Sequence, residues 1–228
     1  MATFAERVIG FNAELGFEER LPPGIRILNP FREHPEIHRI SEAFYRKFYN
    51  DNHPRTLILG INPGRLGAGA TGIPFTDTKR LADPCGIVLD DLQTHEPSSV
   101  FIYRMIEAYG GPEAFYRSYF INSVCPLGFV RQNTKGNWVN CNYYDLPELF
   151  ESVRPFMVSS LRKLLEMGCS SQRCFVLGKK NAGYLEALNR EEGFFGELIA
   201  LDHPRYIVQY RSRHMEEYVT RYLQALAP

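Results

Sequence analysis

The sequence predicts an α/β protein, a three-layer α/β/α sandwich around a central, mainly parallel four-stranded sheet. Brief apolar runs bounded by Gly and Pro have the length of buried parallel strands, and they fall at 56–60, 119–124, 173–177 and 197–202. Helical patterns flank and separate these runs, at 3–14, 37–49, 98–109, 145–167, 180–190 and 212–226. Because alternating strands and helices build a parallel sheet covered on both faces, we expect one domain over residues 1–228.

The composition is that of a compact intracellular enzyme. Of the 228 residues, 44% are hydrophobic and 23% are charged, so the chain can bury a full core. The segment 1–10 lacks the basic start and the long apolar run of a signal peptide, and no run reaches the roughly 18 apolar residues of a membrane span. We therefore expect a cytoplasmic protein without a membrane partner. A formal net charge of zero argues against a protein that coats nucleic acid.

The most informative segment, 55–75, begins with the first predicted strand and reads RTLILGINPGRLGAGATGIPF. Its apolar run breaks at Gly60, and ligands of open parallel sheets bind just beyond the carboxyl ends of the strands. Asn62 lies two residues past this end, and the Pro63-Gly64 pair favours a tight turn around it. We therefore expect the chemistry in this loop.

The same loop contains two partial phosphate-binding motifs. Gly67, Gly69 and Gly72 have the G-x-G-x-x-G spacing of a dinucleotide-binding turn, but that turn must follow its strand directly and open a helix. The strand ends earlier, and Pro74 disfavours a helix just before it. Gly64 and Gly69 also match the start of a Walker loop, in which the phosphate-binding Lys is missing here. Nucleotide binding therefore stays open as an alternative, although the loop lacks the context of the first motif and the Lys of the second.

The loop resembles a known family. GINPG followed by TGIPF looks like the first motif of the single-strand-selective monofunctional uracil-DNA glycosylases, G-M-N-P-G and then T-G-V-P-F, with the same separation from Asn to Phe. A second motif of that superfamily is His-Pro after a late strand, which His203-Pro204 matches. Arg205-Tyr206 replaces the Ser-Pro of the family, and Tyr210-Arg211 falls where the broader superfamily often has Tyr-Arg. The chain is thus similar to a divergent bacterial branch of that family.

A third resemblance lies at the end of the predicted strand 119–124. The segment 122–127, NSVCPL, is similar to the middle motif of the family, an Asn followed by Cys-Pro-Leu, but the spacing is one residue longer. If the segment is aligned with the family motif on the Asn, the base-reading residue is Asn122. If it is aligned on Cys-Pro-Leu, the base-reading residue is Ser123. We prefer Asn122, because only an amide can both donate to and accept from the edge of uracil.

The resemblance implies a uracil-DNA glycosylase-like fold and a monofunctional enzyme of base excision repair. Such an enzyme hydrolyses the N-glycosidic bond of uracil, and of related damaged bases, in DNA. Asn62 is then expected to position the attacking water, and His203 to hydrogen-bond uracil O2 as the base leaves. The expected base-binding residues are Gly60, Ile61, Phe75 and Asn122. The expected DNA-binding or wedge residues are Arg205, Tyr206, Ile207 and Arg211.

The expected partner is DNA that carries uracil in a single strand or a mismatch, because an unpaired nucleotide is easier to extrude. We expect a monomer without a cofactor. Two other functions stay open: a nucleotide-binding transferase that uses the Gly-rich loop, and a catalytically silent nucleic-acid-binding module of the same fold.

The cysteines predict neither a disulfide framework nor a metal site. They are odd in number, contain no C-x-x-C pair and lie far apart in sequence, at Cys85, Cys125, Cys141, Cys169 and Cys174. The closely grouped thiolates of an iron–sulfur cluster are missing. We therefore expect no metal, and cysteines that serve as small buried hydrophobes.

Two further features bear on DNA binding. Positive charges cluster after both main motifs, at Lys79, Arg80, Arg205, Arg211, Arg213, His214 and Arg221. The polar segment 128–142 is expected to be a hairpin or an excursion, in which Trp138 either packs as a hydrophobic anchor or stacks on a DNA base. The apolar run 206–208 fits a wedge, and it equally fits a continued packed strand.

Overall fold

The structure, a computed structural model, describes residues 2–33, 35–89 and 92–227. Its strands are β1 (Ile25–Leu28), β2 (Arg55–Gly60), β3 (Tyr119–Ser123), β4 (Gly128–Gln132), β5 (Trp138–Cys141), β6 (Cys169–Leu177) and β7 (Glu197–Leu201). Its helices are α1 (Phe4–Glu14), α2 (Pro30–Glu33), α3 (Pro35–Phe48), α4 (Ala68–Thr71), α5 (Thr78–Ala82), α6 (Pro97–Tyr109), α7 (Pro112–Ser118), α8 (Pro147–Glu166), α9 (Lys179–Glu192), α10 (Pro204–Tyr210) and α11 (Met215–Leu226). A short 3₁₀ turn, Ser212–His214, joins α10 to α11.

A parallel sheet forms the centre of the fold, with strand order β3-β2-β6-β7 in the part of the chain that the structure describes. In this sheet Leu57 of β2 pairs with Phe120 of β3 on one side and with Cys174 of β6 on the other. The side chains of all three residues are buried, as expected for strands that are covered on both faces. The predicted α/β class with a four-stranded parallel sheet is therefore confirmed.

Helices cover this sheet and fix its edges. Helices α8 and α9 pack against β6, and α7 packs against β2 and β3. Helices α10 and α11 both pack against α6. The Tyr119 hydroxyl of β3 donates a hydrogen bond to the Leu226 carbonyl oxygen, which holds α11 beside the central sheet. None of the described helices combines the length and the apolarity that crossing a bilayer requires.

A smaller antiparallel sheet, with strand order β1-β4-β5, lies beside the central one. It contains the predicted hairpin of segment 128–142, and it adds β1, which the sequence analysis did not predict. Gly128 brings β4 close to the loop after β2, because a Cβ at this position would lie 2.4 Å from the Pro63 carbonyl oxygen. The hairpin thus forms one wall of the region beyond the β2 strand end.

Candidate active site

A cleft of about 400 Å³ opens at the carboxyl ends of β2, β3 and β7. Asn62 follows β2 by two residues, His203 follows β7 by two residues, and Ser123 ends β3. These three residues and Phe75 all line the cleft. Because parallel strands end at the same edge of a sheet, Asn62 and His203 meet here although they are 141 positions apart in sequence. The volume suits one ligand of nucleobase or nucleoside size, since ligand pockets start at roughly 300 Å³.

The side-chain amide of Asn62 is held in one orientation by the connection from β5 to α8. Its Oδ1 accepts a hydrogen bond from the Tyr143 backbone N–H at 3.1 Å, and its Nδ2 donates to the Cys141 carbonyl oxygen at 3.2 Å. Because an amide oxygen has two lone pairs, Oδ1 keeps one for a water molecule in the cleft. The amide can orient such a water but cannot remove its proton.

Two buried residues that the sequence analysis missed support this connection. The Tyr143 hydroxyl donates to Asn181 Oδ1 at 2.7 Å. Asn181 is fully buried, and its Nδ2 lies 3.1 Å from the Gly60 carbonyl oxygen and 3.3 Å from that of Leu177. One side chain therefore joins the ends of β2 and β6 to the residue that holds Asn62.

His203 caps helix α10 and presents a neutral imidazole to the cleft. Its Nδ1 accepts a hydrogen bond from the Arg205 backbone N–H at 3.1 Å, which requires an unprotonated Nδ1 and so puts the proton of the neutral ring on Nε2. Burial, followed by the positive charge of Arg205, lowers the pKa of His203 to about 4. At neutral pH the ring is therefore an uncharged donor through Nε2–H.

Phe75 lies against His203 in a strained backbone conformation. Its φ of 53° is in the left-handed region, which a bulky side chain rarely adopts. Its ring meets the His203 ring edge-on, with 5.9 Å between the ring centroids. Gly60 permits this position, because a Cβ there would lie 3.2 Å from the Phe75 ring. The aromatic ring is thus fixed beside the imidazole, and Ile61 forms the adjacent part of the cleft lining.

The structure places Ser123, and not Asn122, in the wall of this cleft. Asn122 is buried, and its Oδ1 accepts a hydrogen bond from the Ser123 backbone N–H at 2.7 Å. It lines an adjoining cavity of about 20 Å³, which shares part of its lining, including Ser123, with the cleft. Of the two registers that the middle motif leaves open, the geometry therefore favours the one anchored on Cys-Pro-Leu, which differs from the preference based on hydrogen-bonding capacity.

A carboxyl group that the sequence analysis did not single out also lines the cleft. Glu96 Oε2 is shut off from solvent against Gly67, and none of the described residues donates a hydrogen bond to it. Desolvation by burial, followed by repulsion from the fully buried Asp77, raises the pKa of Glu96 to about 8 although Arg205 opposes the shift. The Glu96 backbone N–H is fixed by Asp77 Oδ2 at 3.1 Å.

The residues after His203 form helix α10 and not a strand. Arg205 is exposed and lines the cleft, and Tyr206 is exposed beside it, where its hydroxyl accepts a hydrogen bond from Arg211 Nε at 3.0 Å. Ile207, in contrast, is fully buried in the hydrophobic core. The expected wedge role of Ile207 is therefore corrected, because this side chain could enter DNA only if the helix left the core.

All five cysteines are free and buried, as expected for small hydrophobes. Burial raises the pKa of the thiol of Cys85 to about 11 and of Cys169 to about 12, so both are protonated at neutral pH.

Comparison with known proteins identifies the family. A sequence model described as the Uracil DNA glycosylase superfamily matches residues 46–227, a range that contains the central sheet and the whole cleft. The chain belongs to the uracil-DNA glycosylase superfamily.

Individual members of the superfamily are also similar. The rat protein named single-strand selective monofunctional uracil-DNA glycosylase is 30% identical over 161 residues, which cover 63% of this chain and 55% of that protein. The mouse protein of the same name is 30% identical over 144 residues, which cover 56% and 50% respectively. The chain thus spans about half the length of the curated relatives it matches.

A solved structure in the superfamily matches over nearly the whole chain. The crystal structure of wild-type Pedobacter heparinus SMUG2 has a TM-score of 0.96 and 50% sequence identity, with 99% of this chain and 97% of that chain covered. These similarities confirm the resemblance to the single-strand-selective branch that the three strand-end motifs predicted.

Proposed function

We propose that this protein is a monofunctional DNA glycosylase that excises uracil and related damaged bases in base excision repair. The observation that carries the proposal is the convergence of Asn62, Phe75 and His203 on one cleft, in a chain of the uracil-DNA glycosylase superfamily. The names of the rat and mouse relatives point to the same reaction.

The chemistry of each side chain fits one step of glycosidic cleavage. The departing base takes negative charge, and His203 Nε2–H donates to uracil O2 as that charge develops. Phe75 stacks on the base, and Asn62 Oδ1 orients the water that captures the sugar. Since an amide is no general base, bond breaking leads and water attack follows. The Ser123 side chain, together with the backbone near Gly60 and Ile61, contacts the base edge.

The target nucleotide must leave the base stack of the DNA before its base can enter this cleft. We propose that the base is flipped out of the helix or taken from a single strand, at a cost of a few kcal/mol that is lowest for unpaired uracil. Of the expected DNA-binding or wedge residues, we keep Arg205, Tyr206 and Arg211, which are exposed, as the proposed contacts to the vacated position and to the phosphates. Ile207 is buried and is left out. We further propose that the chain forms one domain, which its continuous hydrophobic core supports, and that it acts as a monomer in the cytoplasm.

Excision of uracil in the absence of divalent metal tests the proposal. A uracil-containing single-stranded oligonucleotide is incubated with stoichiometric protein in excess EDTA, and abasic sites are then cleaved with alkali. The expected result is a cleaved product that depends on Asn62 and His203. The Asn62→Ala, His203→Ala double variant is the control for a contaminating glycosylase. Intact DNA at stoichiometric protein would instead support a catalytically silent nucleic-acid-binding module. Activity that appears only when Mg²⁺ and a nucleotide are added would support the transferase alternative.

A further inference from the structure

The antiparallel sheet carries an aromatic and basic surface on the face that continues the cleft. Its register places Arg26, Val130 and Asn140 side by side, because Arg26 pairs with Val130 and Val130 pairs with Asn140. Residues two positions apart on a strand share a face, so Trp138 lies on the same face as Asn140. The guanidinium of Arg26 lies 4.1 Å from the centroid of the Trp138 ring, which confirms that both side chains are on this face.

This face joins the cleft at Asn140. Asn140 is one of the cleft-lining residues, and its Oδ1 accepts a hydrogen bond from the Arg65 backbone N–H at 3.2 Å, in the loop that carries Asn62. At a rise of about 3.3 Å per residue, Trp138 is displaced from Asn140 by roughly 7 Å along β5. The indole is therefore too far away to stack on the base in the cleft. It is close enough to stack on the neighbouring base of the same DNA strand.

The charges on this face suit a polyanion. Arg26 of β1 and Arg65 of the adjoining loop after β2 are exposed, and neither forms an ion pair with a carboxylate of the described residues. Trp138 is partly exposed. Single-stranded nucleic acid is bound by this combination, in which bases stack on aromatic rings or guanidinium planes and cations track the backbone. The alternative is that the contact between Arg26 and Trp138 only stabilises the sheet. Such a contact would not require both arginines to be exposed, nor the face to continue into the cleft.

We propose that Trp138 and Arg26 form a stacking platform for a base adjacent to the target nucleotide in single-stranded DNA, with Arg65 contacting the intervening phosphate. The proposal rests on the proposed glycosylase function for the identity of the target nucleotide. It adds a second contact area, next to Asn140 of the cleft lining, and it gives a physical reason for preferring single strands. A base that is already paired and stacked in a duplex cannot stack on the indole.

Binding can be observed directly, because Trp138 is the only tryptophan in the chain. The full-length wild-type protein is titrated with uracil-free oligothymidylate and with an oligonucleotide of equal length that contains abasic residues. We expect saturable quenching of tryptophan fluorescence by oligothymidylate, and at least several-fold weaker binding of the abasic oligonucleotide. Equal quenching by both would mean that no base stacks on the indole, and absence of quenching would mean that no strand reaches it. Either result overturns the proposal, whether or not the protein excises uracil.

Variants separate the platform from the catalytic cleft. Trp138→Ala and Arg26→Ala should each raise the KM for single-stranded uracil DNA by about 5-fold to 100-fold, the range for one lost base stack, with the rate at saturating protein unchanged. Trp138→Phe should recover most of the affinity, because a phenyl ring still stacks on a base. If Trp138→Ala is unstable, Arg26→Ala tests the platform, since Arg26 is exposed. Phe156→Ala, which removes a partly buried ring from α8, is the matched control and should leave KM unchanged. Unchanged KM in Arg26→Ala and in folded Trp138→Ala, with normal excision, overturns the platform and leaves the glycosylase function intact.

Discussion

Asn62 Oδ1 accepts a 3.1 Å hydrogen bond from the backbone N–H of Tyr143. This bond joins the loop after β2 to the connection between β5 and α8, and the return bond from Asn62 Nδ2 to the Cys141 carbonyl oxygen closes the pair. An amide held at both ends cannot rotate away from the cleft. Water placement by Asn62 therefore depends on residues that touch neither the base nor the sugar.

Asn181 should act as such a positioning residue. Asn181→Ala removes the acceptor of the Tyr143 hydroxyl and the donor to the strand-end carbonyls, so we expect a loss of about 1–3 kcal/mol in the free energy of unfolding. We also expect slower single-turnover excision at saturating protein, because the segment that holds Asn62 loses its anchor.

Tyr143→Phe is the matched control for this prediction. It deletes only the hydroxyl and keeps the backbone N–H that binds Asn62. We expect it to retain more of the excision rate than Asn181→Ala. The readout is the split between KM and the maximal rate, measured well below the melting temperature of each variant. A merely structural role would leave the maximal rate of folded Asn181→Ala at the wild-type value.

Glu96 should make the protein less stable as the pH rises. Its pKa is about 8 in the folded protein and near 4.5 in the unfolded chain, so between these values the folded state binds the extra proton. Stability is therefore unaffected below pH 4.5 and is progressively lost as the pH rises toward 8.

Glu96→Gln keeps the shape and removes this titration. We expect the variant to gain stability relative to wild type between pH 5 and pH 8, by on the order of 3–4 kcal/mol, at about 1.4 kcal/mol for each unit of pKa shift. Urea denaturation of both proteins at the two pH values measures the difference, in which all other titrating groups cancel. A difference that does not change with pH would show that Glu96 ionises normally in the folded state.

The sequence predicted those parts of the fold and site that depend on local pattern. The continuous apolar runs gave the strands of the central sheet, and two strand ends gave Asn62 and His203. The run Tyr206-Ile207-Val208 was ambiguous, because three apolar residues fit a strand or a helix, and only the His203 cap followed by Pro204 decides for a helix. Asn181 left no signal in the sequence, since its partner Gly60 lies 121 residues away and the bond exists only after the strands pair.

Ser123 and Asn122 give opposite predictions for base choice. Because Ser123 lines the cleft, whereas Asn122 is buried and lines only the adjoining small cavity, Ser123→Asn should change the ratio of uracil to cytosine or purine-analogue excision. Asn122→Asp should chiefly lower stability, by about 1–3 kcal/mol, since a carboxylate is buried there. Relative single-turnover rates on oligonucleotides with different bases provide the measurement. If Asn122→Asp shifts activity toward cytosine while Ser123→Asn does not, Asn122 reads the base after all.

The last prediction separates the roles of His203 and Asn62. His203→Ala should slow single-turnover excision of uracil by about 10²–10³-fold, the cost of removing one preorganised donor to a developing anion. The penalty should shrink on 5-fluorouracil, because a more acidic leaving base needs less help in carrying negative charge. The low pKa of His203 agrees with this expectation, because a neutral imidazole stabilises the developing anion by a hydrogen bond and does not transfer its proton to the base.

Asn62→Ala should respond differently to the same change of base. Water placement at the sugar does not depend on how well the base carries charge, so the penalty of this variant should be nearly equal on uracil and on 5-fluorouracil. Both variants are measured in single turnover at saturating protein, with wild type on each substrate as the reference, so that DNA affinity does not enter the comparison. The quantity to compare is the ratio of the two penalties for each variant. Equal ratios for His203→Ala and Asn62→Ala would refute the division of labour even if both residues proved essential, because they would show that both side chains act on the same charge.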